Sequence, residues 1–367
     1  MKLQCIINNL RNGIVIAERS AAKNQTLPIL NSVFIDAEKD VIKLKSTNLE
    51  TALEIIIPGK IIESGSIVVP AKILSSFLSN INDDQIMLQT NRNNLFIKAN
   101  NIETTIQGYP KEDFPIFPQM NSQENFTMQA RELKDGLSAT IIAASISDIK
   151  PELSSVLFKI FKNTIKIAAT DSFRLAEKTI ISKKINKEKL ISFLIPQKGV
   201  QEMLKLLDQD EILEIGINKN QFFLSGNRFK FISRLTDGKF PDYEQIMPKN
   251  FKTVAVSKKS DIVSHIKLAS VFVGKLSDIT FNFDPAKKAV LINAFNSDVG
   301  QHSAQINSMI QGESVEVKFN WRYLLDGISQ IDNEYIEFNL NTPESPLLIK
   351  GKGDASYLYL VMPMRGA

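Results

Sequence analysis

Runs of alternating apolar and polar positions, rich in β-branched residues, fill most of the chain, and short helical stripes interrupt them at regular places. Period-two alternation predicts half-buried strands, and apolar residues at i, i+3, i+4 and i+7 predict amphipathic helices. Three features recur in the same order at intervals of about 125 residues, long enough for each copy to be a whole domain with its own core.

The first feature is strand, polar turn, strand. It runs Val41-Ile42-Lys43-Leu44, Thr47-Asn48-Leu49-Glu50, Leu53-Glu54-Ile55-Ile56-Ile57. It returns as Thr164-Ile165-Lys166-Ile167-Ala168, Thr170-Asp171-Ser172-Phe173-Arg174, Glu177-Lys178-Thr179-Ile180, and again as Ala289-Val290-Leu291-Ile292, Phe295-Asn296-Ser297-Asp298, Ser303-Ala304-Gln305-Ile306. The second feature is a strand running straight into a helix, at Val68-Val69-Pro70, Leu194-Ile195-Pro196 and Lys318-Phe319-Asn320. Proline suits the first helical position, where its missing N–H would be unpaired anyway. The stripes that follow are Ile73, Leu74, Phe77 and Leu78; Val200, Met203, Leu204 and Leu207; and Leu324, Leu325 and Ile328. The third feature is a closing pair of strands, such as Gln221-Phe222-Phe223-Leu224 with Phe229-Lys230-Phe231-Ile232.

Each unit is expected to open with a helix, over about 8–21, 130–145 and 258–272, the second carrying Leu133, Leu137, Ile141 and Ala144. Each unit therefore reads as two helices with about eight short strands, an α+β domain whose helices pack on antiparallel sheets. The expected domains are 1–120, 121–249 and 250–367, joined by linkers near 109–125 and 243–253 that are rich in Pro, Asn and Lys.

Composition changes this picture little. The chain has 367 residues, 43% hydrophobic and 23% charged, as a soluble globular protein does. Net charge is +4, too mild to announce a nucleic-acid binder, so any DNA-facing charge must be concentrated on one surface. The single cysteine, Cys5, excludes an intramolecular disulfide and a multi-cysteine zinc site and fits a reducing cytoplasm. Met1-Lys2-Leu3-Gln4 is not followed by a signal-peptide core, and no apolar run reaches the roughly 18 residues of a membrane span. The expectation is a cytoplasmic protein with no membrane partner.

Catalytic signatures are missing. The two histidines, His265 and His302, have no metal-ligand spacing, and no phosphate loop, dinucleotide fingerprint or nucleophile elbow occurs. Asp171 beside Arg174 reads more simply as a turn salt bridge than as a tuned acid. A binding protein is favoured, with no cofactor and no metal. Two other readings stay open on the residues alone: a hydrolase working through Asp171 and a second carboxylate, and a repeat scaffold that binds proteins but not DNA.

Ala169-Thr170-Asp171-Ser172-Phe173-Arg174-Leu175-Ala176 resembles the A-T-D-G-H-R-L-A signature of the bacterial DNA polymerase III beta subunits, the sliding clamps. Asp237-Gly238-Lys239-Phe240-Pro241-Asp242-Tyr243 with Met247-Pro248 is similar to that family's D-G-x-F-P-D-Y segment, and Val361-Met362-Pro363-Met364-Arg365 to its C-terminal V-M-P-M-R. Thr26-Leu27-Pro28-Ile29-Leu30 matches its T-L-P-I-L, and the resemblance spans essentially the whole chain in the family's order. Ser172 and Phe173 depart from the usual Gly and His, Asn24 stands where an arginine is common, Gly366 and Ala367 follow Arg365, and loop 149–153 lacks aromatics.

The resemblance implies a non-enzymatic clamp: three repeated domains per chain, two chains head to tail, and a ring around double-stranded DNA of any sequence. It implies a pocket for short peptides of the replicative polymerase catalytic subunit and of other repair and replication proteins. The matching positions are Leu153, Thr170, Ser172, Phe173, Arg174, Leu175, Pro241, Ile246, Met362, Pro363, Met364 and Arg365, with Arg174 and Arg365 expected to grip the peptide's polar atoms. DNA-facing candidates are Arg11, Lys23, Asn24, Lys72, Arg131, Lys134, Lys150, Lys198, Lys205, Lys259 and Arg322. Thr104 and Ile106 on an edge strand, with Val271 and Phe272, are the implied homodimer contacts. Loading by a separate ATP-dependent clamp loader and association with the nucleoid follow from the same resemblance.

Overall fold

The computed structural model describes residues 1–21, 27–38, 40–182, 185–207 and 211–364. The first repeat is β1 (Lys2–Ile6), α1 (Ile7–Ser20), β2 (Ser32–Glu38), β3 (Val41–Thr47), β4 (Thr51–Ile57), β5 (Lys60–Glu63), β6 (Gly65–Pro70), α2 (Ala71–Ser79), β7 (Gln85–Asn91), β8 (Asn94–Ala99) and β9 (Ile102–Gln107). The second is β10 (Glu124–Gln129), α3 (Ala130–Ile141), β11 (Ser155–Lys162), β12 (Thr164–Thr170), β13 (Arg174–Ile181), β14 (Lys187–Pro196), α4 (Gln197–Leu204), β15 (Ile212–Ile217), β16 (Gln221–Ser225) and β17 (Phe229–Arg234). The third is β18 (Thr253–Lys258), α5 (Lys259–Ala269), β19 (Asp278–Asp284), β20 (Ala289–Asn296), β21 (Gly300–Asn307), β22 (Met309–Gly312), β23 (Val315–Asn320), α6 (Trp321–Ser329), β24 (Tyr335–Leu340), β25 (Leu347–Gly351) and β26 (Tyr357–Val361). The element order is the same in the first and third repeats, and the second differs only in having one ten-residue strand, β14, where they have two short ones.

Three details differ from the pattern-based expectation. Each repeat opens on a strand (β1, β10, β18) that feeds the helix directly, not on the helix itself. The opening helices are also shorter: α3 stops at Ile141, and α5 stops at Ala269 before a single 3-10 turn, Ser270–Phe272. Finally, Pro70 caps α2 with φ −56° and ψ 116°, and Pro196 ends β14, so both prolines are the last strand residue and not the first helical one. Both β6 and β14 are sheet edges, where a residue without an N–H leaves no ladder bond unmade. The third copy uses a side chain instead: Asn320 Oδ1 accepts the Arg322 N–H at 2.9 Å.

The chain folds as two compact units, Met1–Leu133 with Lys198–Leu235, and Lys134–Gln197 with Thr236–Ala367. In the first, an eight-stranded sheet runs β10-β15-β16-β17-β4-β3-β2-β6, beside a five-stranded sheet β5-β1-β7-β8-β9. The long sheet is continuous because β17 of the second repeat pairs antiparallel with β4 of the first, Phe229 to Ile55 through Ser233 to Thr51. Helix α1 buries Ile7, Leu10, Ile14 and Ala17 against α2, β3 and β4. Gly13 allows that approach, since a Cβ there would stand 2.6 Å from Leu44 Cδ1. In α2, Leu74 and Leu78 are buried but Ile73 is 56% exposed, so the expected stripe is narrower by one residue.

The second unit repeats the device. A nine-stranded sheet runs β14-β11-β12-β13-β26-β25-β24-β18-β22, beside a four-stranded sheet β21-β20-β19-β23. Its joint is β13 against β26, Arg174 to Val361 through Lys178 to Tyr357. Helix α6 packs on α5 and lies against β25 and β26, where Tyr359 donates its hydroxyl to the Tyr323 carbonyl at 2.9 Å. In both units, backbone pairing across a repeat boundary carries one repeat's core into the next.

Candidate functional site

The β12–β13 turn is built by its own side chains. Thr170 Oγ1 donates to the Arg174 carbonyl at 2.7 Å, and Asp171 Oδ1 accepts the N–H groups of Phe173 and Arg174, each at 2.9 Å. These bonds hold Ser172 at φ 77°, in the left-handed region. Glycine occupies such a position freely, whereas serine costs about 1–2 kcal/mol there. Phe173 is thrown outward, 62% exposed.

Arg174 faces inward. Its Nε donates to Asp171 Oδ2 at 3.0 Å and a terminal nitrogen to Asp326 Oδ2 at 2.5 Å, while the guanidinium lies 4.3 Å from the Tyr323 ring centroid. Two of Arg174's five donors are thus engaged inside the protein, and its side chain still lines the adjacent pocket.

Beside this turn lies a pocket of about 230 Å³, lined by Thr170, Ser172, Arg174, Leu175, Pro241, Asp242, Tyr243, Ile246, Leu360 and Met362. Seven of the positions singled out in the sequence meet here. Leu153 is buried and does not line it, and Phe173 stands at the surface next to Ser172. Pro363 and Met364 continue past the lining, with the Met364 N–H on the Lys318 carbonyl at 2.9 Å. Arg365 lies outside the described residues.

The floor comes from buried Leu157, Leu175, Leu194, Phe240, Tyr243, Leu348 and Leu360. Tyr243 was missed by reasoning on residue types, although it sits in the quoted Asp237–Tyr243 segment. Its hydroxyl donates to Glu177 Oε2 at 2.5 Å inside the protein. Burial, reinforced by the Glu177 carboxylate, pushes that hydroxyl well above its ordinary range, so it stays a donor. Leu360 was also missed, though two-residue alternation with Met362 puts both on one strand face.

The basic candidates divide by what they touch. Arg11 donates to the carbonyls of Leu78 (2.9 Å) and Ile81 (2.6 Å), and Lys259 to those of Ser329 (3.4 Å) and Ile331. Each thus ties an opening helix to the C-terminal end of its partner helix, where a cation is favoured. Lys72, Arg131, Lys150, Lys198, Lys205 and Arg322 are exposed, and Lys134 is half-buried. Lys23 and Asn24 lie outside the described residues.

Of the implied dimer positions, Thr104 and Ile106 sit on an edge strand, and Val271 and Phe272 sit in a turn beside another. Strand β9 ends the five-stranded sheet, with Thr104 half-buried and Ile106 buried in its own core, so Ile106 offers backbone and not side chain. At the other end of the chain β21 ends the four-stranded sheet. Beside it Val271 is 65% exposed, and Phe272 stacks on His302, ring centroids 5.9 Å apart. Among the described residues no group of three or more His, Cys, Asp or Glu side chains could hold a metal ion, and no helix is long and apolar enough to cross a membrane.

The sequence matches, in order, the family described as DNA polymerase III beta subunit: its N-terminal domain over residues 1–118, central domain over 127–242 and C-terminal domain over 244–365. It is 26% identical to the beta sliding clamp of Staphylococcus epidermidis over 376 aligned positions, covering 100% of this chain and 98% of that protein. The beta sliding clamp of Staphylococcus aureus is 26% identical over 358, covering 95% and 94%. Among solved structures, a DNA polymerase III subunit beta from Pseudomonas aeruginosa superposes with a TM-score of 0.94 at 25% identity, with both chains covered in full. A Pseudomonas aeruginosa sliding clamp bound to griselimycin gives 0.95 at 25% identity, again with full coverage of both chains.

Proposed function

The chain belongs to the DNA polymerase III beta-subunit family, and from that premise we propose how its parts do the work of a DNA sliding clamp. It is a non-catalytic processivity factor: it acts by holding on, and no step of chemistry is assigned to it. The observation that carries this reading is the match of all three family domains, in order, across one chain.

A protein that grips DNA by adhesion must break its contacts to move. A closed ring cannot leave sideways, so weak, sequence-blind contacts to phosphate are enough, and these weaken as salt rises. A net charge of +4 with exposed lysines and arginines on the helices suits that demand. In this reading two chains join head to tail through β9 of one and β21 of the other. Backbone pairing of two free edges is sealed by Val271 and Phe272, worth roughly 1.5–3 kcal/mol per large buried side chain. In the same reading each chain carries three clamp domains, over 1–120, 121–249 and 250–367.

The pocket at Leu175, Pro241, Ile246, Leu360 and Met362 receives short apolar peptides of the polymerase catalytic subunit and of repair and replication proteins. Methionine adapts to varied partners, and exposed Phe173 adds an apolar rim where relatives commonly carry histidine. A separate ATP-dependent loader opens the ring, and the protein works in the cytoplasm at the nucleoid.

The test is retention. The loaded protein stays on a nicked DNA circle and is lost when the circle is linearised; equal loss from both would sink encirclement. Sedimentation gives a dimer at micromolar concentration for the native chain and a monomer for Val271→Asp. A native monomer would overturn the β9–β21 joint.

A further inference from the structure

The scaffold of the peptide pocket occurs twice in the chain. In the β3–β4 turn Thr47 Oγ1 donates to the Thr51 carbonyl at 2.7 Å, as Thr170 does to Arg174. Asn48 Oδ1 accepts the N–H groups of Glu50 (3.0 Å) and Thr51 (2.6 Å), as Asp171 does for Phe173 and Arg174. Leu49 takes φ 73° where Ser172 takes 77°. The Arg234 N–H then bonds the Glu50 carbonyl at 2.9 Å, and the Met362 N–H bonds that of Phe173 at 2.8 Å. Ala52, Phe223 and Ile232, with Phe117 and Met120 packed on them, repeat the floor made by Leu175, Leu348 and Leu360 with Tyr243.

Over this second scaffold lies a cavity of about 760 Å³, against about 230 Å³ over the first. Two exchanges set the sites apart: Ala52 stands where Leu175 lines the other site, which removes apolar bulk, and Arg234 stands where Met362 lines it, which brings in a charge. Carboxamide side chains, Asn121 and Gln221 among them, line the walls, and each carries a donor and an acceptor matched to a peptide backbone. At the rim Ile116 is 95% exposed and Leu49 53%. Arg234 and Lys219 line the cavity against the single carboxylate of Glu50. The Glu50–Arg234 pair, 3.4 Å apart and well exposed, is weak enough to exchange partners.

We propose that this cavity, lined by Ala52, Ile116 and Arg234, is a second docking site for an extended peptide segment, one carrying an apolar anchor next to a carboxylate. The anchor covers Ala52 against Ile116 and Ile232, the carboxylate meets Arg234, and the carboxamides receive the backbone. The site is wider and more polar than the first and binds more weakly. The inference rests on the reading of the 170–175 pocket as a peptide site, because the shared scaffold is its ground.

The two sites can be read separately in the full-length protein by isoleucine methyl NMR, since Ile116 and Ile232 report the second cavity and Ile246 the first. The probe is an acetylated, amidated Gly-Asp-Ile-Asp-Gly peptide, titrated to millimolar concentration. Saturable shifts of Ile116 and Ile232 are expected, weakened at least tenfold by Arg234→Glu, less by Arg234→Gln, and unchanged by Met362→Asp. Unmoved Ile116 and Ile232, or shifts that survive Arg234→Glu, overturn the proposal. So does a short oligothymidylate that moves the same methyls more strongly than the peptide. If a polymerase-derived peptide fails to move Ile246 while the probe moves Ile116, the first pocket's reading fails alone.

Discussion

Arg174, at the start of β13, is bonded to Asp326 on α6, a residue 152 positions away. The pair fixes the wall of the pocket and fastens the strand joint to a helix of the next repeat. Asp326 is half-exposed, so its substitution by alanine is expected to cost only about 1 kcal/mol of stability. Peptide affinity should fall by roughly fivefold, the equivalent of the same energy, because Arg174 then keeps only Asp171 and the Tyr323 ring. Fluorescence anisotropy with a labelled polymerase peptide checks this, and unchanged affinity would show that the wall needs no such anchor.

Gly327 meets the face of Tyr359. A Cβ at Gly327 would stand 2.1 Å from the ring, whereas one at Gly274 meets nothing within 4 Å. Gly327→Ala should therefore destabilise by about 1–3 kcal/mol through overpacking, and Gly274→Ala should be neutral or slightly stabilising. Parallel urea denaturation curves separate them, and equal midpoints would contradict the packing.

The basic helix residues fall into two groups, read by different measurements. Charge reversal at Arg131, Lys134, Lys198 and Lys205 together should lower loading onto DNA circles and flatten its salt dependence. Reversal at Arg11 or Lys259 should instead lower the melting temperature, by about 1 kcal/mol of lost capping, because each binds helix-end carbonyls. Loading that survives the fourfold reversal would remove those residues from the DNA face.

Cys5 is buried in β1, and burial pushes its thiol up from 9.0 to about 12. The raised value favours the protonated form in the folded chain. Its contribution to stability is complete below pH 9 and is lost as pH rises from there towards 12. At pH 8 the folded protein should resist iodoacetamide and the urea-unfolded protein should react at one site, as mass spectrometry would register. Rapid labelling of the native chain would refute the burial.

Alternation and helical stripes were enough to reveal the threefold repeat, because they record which face of each element is buried. The turn Thr170–Arg174 was legible as a polar turn between strands, its residue types being fixed by local bonds, whereas the Asp237–Tyr243 segment was legible only through its resemblance to the family. Sequence alone thus determined most of the elements and their order, and resemblance to the family supplied most positions of the pocket lining. It could not determine what each buried face lies against. That β13 joins β26, that β4 joins β17, that Arg174 reaches Asp326, and that Ile73 faces outward were decided by tertiary structure. Each depends on strand edges and side chains brought together from distant positions, and neither periodicity nor propensity carries information about such partners.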